Sequence, residues 1–322
     1  MRPLPKKQQN TYILGAGAIG HLLACQYTLA NLPVGLIHRH QAEADSEAVI
    51  FQDQHHHEHN LTLNYHLAAD VTQIDYLLVA VKAHQLKTAL LSVQHALHEQ
   101  SHILLLPNGM GNLEVAMACL KDITKPSHIW PAINTHGCYL AANKRQRVIH
   151  SGIGEIHYGS NYKSNELVSS ESFNMPSSLN ASYARSIETN LWLKLAINAV
   201  INPLTAIHDC QNGDLDTDSD LSSKVAILVA EIADLYEKLN VQLTKSQIQK
   251  NCDAVIKATA KNYSSMQCDI KNKKTTEIEV ITGYLLRYAK RMQFHMQEHQ
   301  YLYQEIKNIE QGHKLEKQLL PK

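Results

Sequence analysis

Net charge is the first thing the chain lacks: 30 Lys and Arg balance 30 Asp and Glu over 322 residues. Without a field of either sign it has little to draw in nucleic acid or an anionic membrane surface, so neither is expected as a partner. It also lacks any apolar run approaching the roughly 18 residues that a membrane span needs. Six cysteines (Cys25, Cys119, Cys138, Cys210, Cys252, Cys268) form no CxxC pair or compact framework, and no signal-peptide pattern is read ahead of them. Reduced thiols in the cytoplasm are therefore the expected state. No internal repeat is seen. What is present is an ordinary globular apolar share of 44% and a length that suits two domains, each able to bury its own core. Two domains leave a cleft, and the expected partner is a small molecule bound by a monomer or homodimer.

Histidine, by contrast, is abundant, with 20 residues. The run His55, His56, His57, Glu58, His59 admits a metal site or a polar surface loop between two strands. The loop is the expected reading, because adjacent residues rarely converge on one tetrahedral ion.

Hydrophobic patterning alternates strand and helix through the first half: strands at 11–14, 34–38, 76–81 and 103–106, helices over 18–30 and 85–97. Such alternation implies a parallel sheet covered on both faces. Short β-prone pieces over 145–160 suggest an antiparallel edge, and a Ser/Asn-rich stretch over 164–180 leads to a boundary near Ser182. Beyond it the pattern is helical over 188–208, 221–240, 245–262, 276–292 and 298–312. The expected fold is α/β: a Rossmann-like, doubly wound sheet over 11–182, then an all-α domain over 183–322.

Between the first strand and the first helix lies Gly15, Ala16, Gly17, Ala18, Ile19, Gly20. This GxGxxG spacing suits a tight turn, a close backbone approach to a pyrophosphate, and close packing of helix on strand. The phosphates of a dinucleotide are expected on the unpaired N–H groups at the helix start. After the second strand an acidic residue would accept from a ribose hydroxyl, whereas this chain has His38, Arg39, His40. The Arg39 guanidinium fits a 2′-phosphate, so NADPH is the expected cofactor. A solvated surface Arg39 is the alternative.

In the second half, Lys194, Asn198 and Asn202 follow one another at four-residue steps. Four residues at about 100° drift only about 40° per step, so all three share one helix face. The residues between them are apolar, which buries the helix and leaves this polar stripe facing a cavity or partner. Pro203 is expected to bend or end the segment near Asn202. Spacing alone leaves a second reading open, an Asn pair satisfying the broken turn while Lys194 reaches water.

These segments resemble the ketopantoate reductase (2-dehydropantoate 2-reductase) family. The resemblance covers Gly15 to Gly20, Val81-Lys82-Ala83, Pro107-Asn108-Gly109-Met110-Gly111, Trp192 to Ala206, Asn212-Gly213, Ser264-Ser265-Met266-Gln267-Cys268-Asp269 and Thr276-Glu277-Ile278, in family order. It implies NADPH-dependent reduction of ketopantoate to (R)-pantoate, on the route to pantothenate and coenzyme A. Lys194 then matches the proton donor, and Glu277 is its catalytic companion beside cofactor and substrate. Asn108 matches a residue near both nicotinamide and substrate; Asn198, Asn202, Asn212 and Ser265 match substrate-binding positions. Arg39, Lys82 and Cys138 fall on the cofactor side. A local explanation exists for several of these: a solvated strand end for Lys82, a turn for Asn108-Gly109, a helix cap for Ser264-Ser265, a helix first-turn acid for Glu277. His84, Cys138 and Thr282 depart from the family pattern, which leaves room for another 2-oxo acid as substrate. A catalytically idle NADPH-binding regulator is the alternative from a different class.

Overall fold

Adjacent residues of the central strands point to opposite faces, and their packing partners divide accordingly. In the computed structural model, which describes residues 10–38, 46–141, 147–160 and 173–319, Ile13, Leu36, Leu78 and Leu104 join one apolar cluster. Their neighbours Leu14, Ile37, Leu77, Val79, Ile103 and Leu105 join another. Strands buried on both faces read as continuous apolar runs, and helices must cover each side.

The first compact unit comprises residues 1–107 and 112–187. Its elements are β1 (Thr11–Leu14), α1 (Ala18–Leu29), β2 (Gly35–His38), β3 (Ser46–Gln52), β4 (Glu58–Leu67), β5 (Tyr76–Val79), α2 (Leu86–Val93), β6 (His102–Leu105), α3 (Asn112–Leu120), β7 (Ile129–Asn134), β8 (Gly137–Leu140), β9 (Arg147–Gly152), β10 (Ile156–Tyr158) and β11 (Ala181–Tyr183). The eleven strands run β11-β10-β7-β6-β5-β1-β2-β4-β3-β9-β8. β1 pairs in parallel with both β2 and β5, so strand order reverses at β1. Ligands of open α/β sheets bind beyond the strand ends at such a reversal. The β8–β9 pair forms the expected antiparallel edge, while β10 pairs antiparallel with β7 near the opposite edge.

The histidine run begins in the turn joining β3 to β4 and ends on Glu58 and His59, the first residues of β4. Asp53 Oδ1 accepts from the backbone N–H of His55 (2.8 Å) and His57 (3.0 Å), and Oδ2 meets His59 Nε2 at 3.0 Å. Among the described residues no group of three or more His, Cys, Asp or Glu gathers as a metal site, and no helix is long and apolar enough to cross a membrane.

The second unit comprises residues 188–322 together with 108–111. The division falls after Ile187, and Ser182 pairs with His157 in β11–β10 at the edge of the sheet. Its helices are α4 (Glu188–His208), α5 (Asp214–Thr217), α6 (Ser219–Lys238), α7 (Lys245–Ala258), α8 (Ser265–Lys271), α9 (Thr282–Arg291) and α10 (Gln297–Leu319). All pack around one apolar core centred on α4, where Leu195, Ala196, Ala199, Val200 and Leu204 are almost wholly buried.

Pro203 does not break α4. The 21-residue helix runs through it, and Thr205 Oγ1 donates to the carbonyls of Ile201 (2.9 Å) and Asn202 (3.2 Å). Losing one backbone rung is tolerated where a buried helix has so much packing on either side of it. The expected helix over 276–292 begins only at Thr282. Residues 276–281 instead form a turn: Val280 N (3.2 Å) and Ile281 N (3.1 Å) donate back to Glu277 O, and Val280 O accepts from Met110 N at 2.9 Å.

Candidate active site

The glycine loop is shaped by sterics. Gly15 has φ +114, and a Cβ there would lie 2.7 Å from Val81 Cγ1. A Cβ on Gly20 would lie 1.8 Å from Gly15 O, so only glycine lets α1 start this close to β1. Gly17 differs: a Cβ there would meet nothing within 4 Å. It is the N-cap of α1, with no side-chain cap and no acidic residue in the first turn. The first N–H groups of a helix have no intrahelical partner, and with room beside Gly17 this end suits an anion such as a dinucleotide pyrophosphate. Lys82 follows Ala80 and Val81, whose atoms line the Gly15 turn, and stands before the short 3-10 turn at 83–85.

In the second unit three residues far apart in sequence meet through hydrogen bonds. Lys194 Nζ donates to Asn108 Oδ1 at 2.8 Å, and Asn108 Nδ2 donates to Glu277 Oε2 at 3.1 Å. The left-handed residue of the Asn108-Gly109 pair is Gly109, with φ +82, so turn geometry is not what requires the asparagine. Nor is Glu277 a helix first-turn acid, since α9 starts five residues later. Burial lowers the Lys194 pKa from 10.5 to about 8, against the opposing pull of the Glu277 carboxylate. An amine so poised is charged at neutral pH and still releases its proton readily.

Residues 11–162 match the family described as ketopantoate reductase PanE/ApbA, and residues 186–310 match its C-terminal part. A 2-dehydropantoate 2-reductase of Vibrio cholerae is 31% identical over 314 residues, covering 94% of this chain and 98% of the relative. The chain belongs to the ketopantoate reductase family. A second relative, the 2-dehydropantoate 2-reductase of Yersinia pestis, is 30% identical over 92% of this chain and 94% of its own length. The ternary structure of D-mandelate dehydrogenase with NADH and anilino(oxo)acetate superposes with a TM-score of 0.86 at 22% identity, covering 95% of this chain and 99% of that one. At that identity the likeness speaks to the fold.

Asn198 and Asn202 share the Lys194 face of the family's central helix. Asn198 is half-buried and Asn202 buried, and among the described residues neither side chain makes a hydrogen bond. Ser264, not Ser265, caps α8: its Oγ accepts from Gln267 N (3.1 Å) and from Thr205 Oγ1 (2.7 Å), tying α8 to α4. Ser265 is left as the exposed first residue of α8. Asn212 is buried; its Nδ2 donates to Thr259 Oγ1 at 2.8 Å and its backbone N–H to Asn262 O at 2.9 Å. Those bonds hold a turn against residues 259–262, while Asn212 Oδ1 is buried with no hydrogen-bond partner among the described residues.

On the cofactor side, Cys138 Sγ donates to Ala18 O at 3.2 Å, in the first turn of α1. Burial pushes its thiol up to about 12, so it stays protonated and acts as filler beside the loop. Arg39 lies outside the described residues. Sequence reasoning offers the Ser264-Ser265 pair as a helix cap without choosing between them, and it misses Glu310 as a partner of Thr276. Glu310 Oε1 accepts from Thr276 N at 2.7 Å, across 34 residues of sequence, so no local pattern exposes it.

Proposed function

We propose that the chain reduces 2-dehydropantoate to (R)-pantoate with NADPH, with Lys194 as the proton donor. The observation that carries this reading is the Lys194–Asn108–Glu277 chain of hydrogen bonds in a member of the ketopantoate reductase family. The start of α1 at Gly17 fits the cofactor pyrophosphate, with Ala16, Ala18 and Ile19 completing the loop, and the family likeness assigns Lys82, Cys138 and Glu277 to the cofactor side. When bound, the reduced nicotinamide supplies the hydride to C2 of the oxo acid.

Charge then gathers on the former carbonyl oxygen, and the proton from Lys194 Nζ neutralises it as it forms. Asn108 fixes the direction of Nζ by accepting one of its protons. Glu277 keeps the amine charged until transfer, since its field raises the Lys194 pKa. The amides of Asn198 and Asn202 and the Ser265 hydroxyl are free to bind the carboxylate and distal hydroxyl of the substrate, without adding a competing acid. Asn212 contributes by holding its turn. A wrong oxo acid would leave these polar groups unpaired, which is how such a site discriminates.

Two predictions test the reading. NADPH oxidation, followed with ketopantoate and with a panel of other 2-oxo acids, should be fastest with ketopantoate. Binding of NADPH without oxidation by any oxo acid would point to a regulator instead. The preference for NADPH over NADH should shrink in Arg39→Ala; an unchanged ratio would remove Arg39 from the cofactor site.

A further inference from the structure

We infer that Glu310 of α10 is the positioning residue that sets the Glu277–Asn108–Lys194 chain, an inference that rests on the reading of Lys194 as proton donor. Glu310 is only 5% exposed. Its Oε1 accepts from both the backbone N–H (2.7 Å) and the Oγ1 (2.8 Å) of Thr276, and Thr276 Oγ1 in turn accepts from Ile278 N at 3.2 Å. Both residues flanking Glu277 are therefore tied to one carboxylate oxygen, directly or through one hydroxyl.

A carboxylate is costly to bury, and it persists where several donors satisfy it. Here the donors belong to a segment with no ladder of its own. α9 begins at Thr282, so Glu310 caps no helix; it fastens the non-helical turn that carries Glu277. The same turn is gripped from the other side, where Met110 N donates to Val280 O at 2.9 Å, next to Asn108. Glu277 and Asn108 are thus held in register by two anchors, and the loss of either lets their side chains drift apart. Among the described residues Tyr303 faces both Glu279 and Glu310. Lys194 faces Glu277; Glu310 faces Lys307 at 3.4 Å, which also reaches Glu279 at 3.4 Å, itself 3.7 Å from Arg287.

Glu310→Gln keeps an oxygen for Thr276 and removes only the charge, whereas Glu310→Ala removes the acceptor. With ketopantoate and NADPH and the full chain, Glu310→Ala should lose kcat on the order of 10²-fold, as small misplacements of reacting groups do. The alkaline limb of its kcat profile should move to lower pH. Glu310→Gln should restore both kcat and the limb. A residue that merely stabilises the fold would lower Tm and leave the limb in place, which would overturn the inference. Should Glu310→Ala fail to fold, Thr276→Val, which keeps the backbone donor and loses the hydroxyl, should move the limb in the same direction by less; no movement overturns it. If wild-type protein does not reduce ketopantoate, the functional reading fails separately. Positioning is then decided by the pH dependence of Lys194 acylation, read by mass spectrometry. A Lys194 titration that moves down in Glu310→Ala and returns in Glu310→Gln supports it, and an unmoved titration contradicts it.

Discussion

The glycine loop of the first unit and the lysine chain of the second are built by opposite means. The loop is six consecutive residues whose shape is dictated by hard contacts, with a Cβ on Gly20 brought to 1.8 Å from Gly15 O. The lysine chain joins residues 86 and 169 positions apart through polar bonds in a desolvated setting. Steric sites are all-or-none, because no side chain fits by degrees at such distances. Electrostatic sites are graded, since every added or removed charge shifts the poise of the amine. The difference explains why the binding site is compact in sequence while the reacting group is assembled from three separate segments.

Substitutions should break the two regions in different ways. The largest effect is expected for Lys194→Ala: kcat should fall by about 10²- to 10⁴-fold, the range for losing a general acid. NADPH affinity by fluorescence titration should hardly change. If kcat survives, Lys194 is not the donor. Gly20→Ala should instead cost about 3 kcal/mol or more of stability through overpacking, read as a lowered Tm, and abolish protection by NADPH. Gly17→Ala sharpens the contrast, because its Cβ meets nothing within 4 Å. It should leave Tm intact and weaken NADPH binding by about tenfold, equivalent to about 1.4 kcal/mol. Equal Tm losses in both glycine variants would refute the steric account.

The smallest effect separates the regions by pH. In the first unit, His102 is lowered from 6.5 to about 4 by burial and by the neighbouring His128, and His150 is lowered by burial and by His136. His102 Nδ1 accepts from Trp130 Nε1 at 3.3 Å, a bond that protonation of that nitrogen would remove. Groups with depressed folded pKa values take up protons more readily when unfolded. Their contribution is fully present above pH 6.5 and is lost as pH falls from 6.5 toward 4. Thermal melts should show Tm falling through that window, and a Tm flat down to pH 4 would contradict it. The lysine chain of the second unit should respond only at the alkaline end.

What could be read in sequence follows the same divide. The β1 to α1 turn, the parallel strands and the full extent of α4 rest on local periodicity, and each is visible within a window of twenty residues. The polar face of α4 was equally plain, yet its meaning was open until Asn108 and Glu277 were seen to meet Lys194. The non-helical turn at 276–281 was invisible because Glu310 and Met110, which hold it, are distant in sequence and carry no motif. Ser264 and Ser265 differ by one position, and the bond from Gln267 N to Ser264 Oγ decides which one caps α8. Of the two outcomes expected at Pro203, a helix end does not occur, because the local rule against proline in helices is outweighed by tertiary packing around α4.

The central claim is that a half-buried lysine, held by Asn108 and kept charged by Glu277, delivers the proton. Its most direct test is the pH dependence of kcat for ketopantoate reduction at saturating NADPH, in wild type and Glu277→Gln. The account predicts a rate that falls as pH rises through about 8, the titration of Lys194, and a limb moved to lower pH when the Glu277 charge is removed. A profile that stays level through that range, or a limb that does not move in Glu277→Gln, would contradict it.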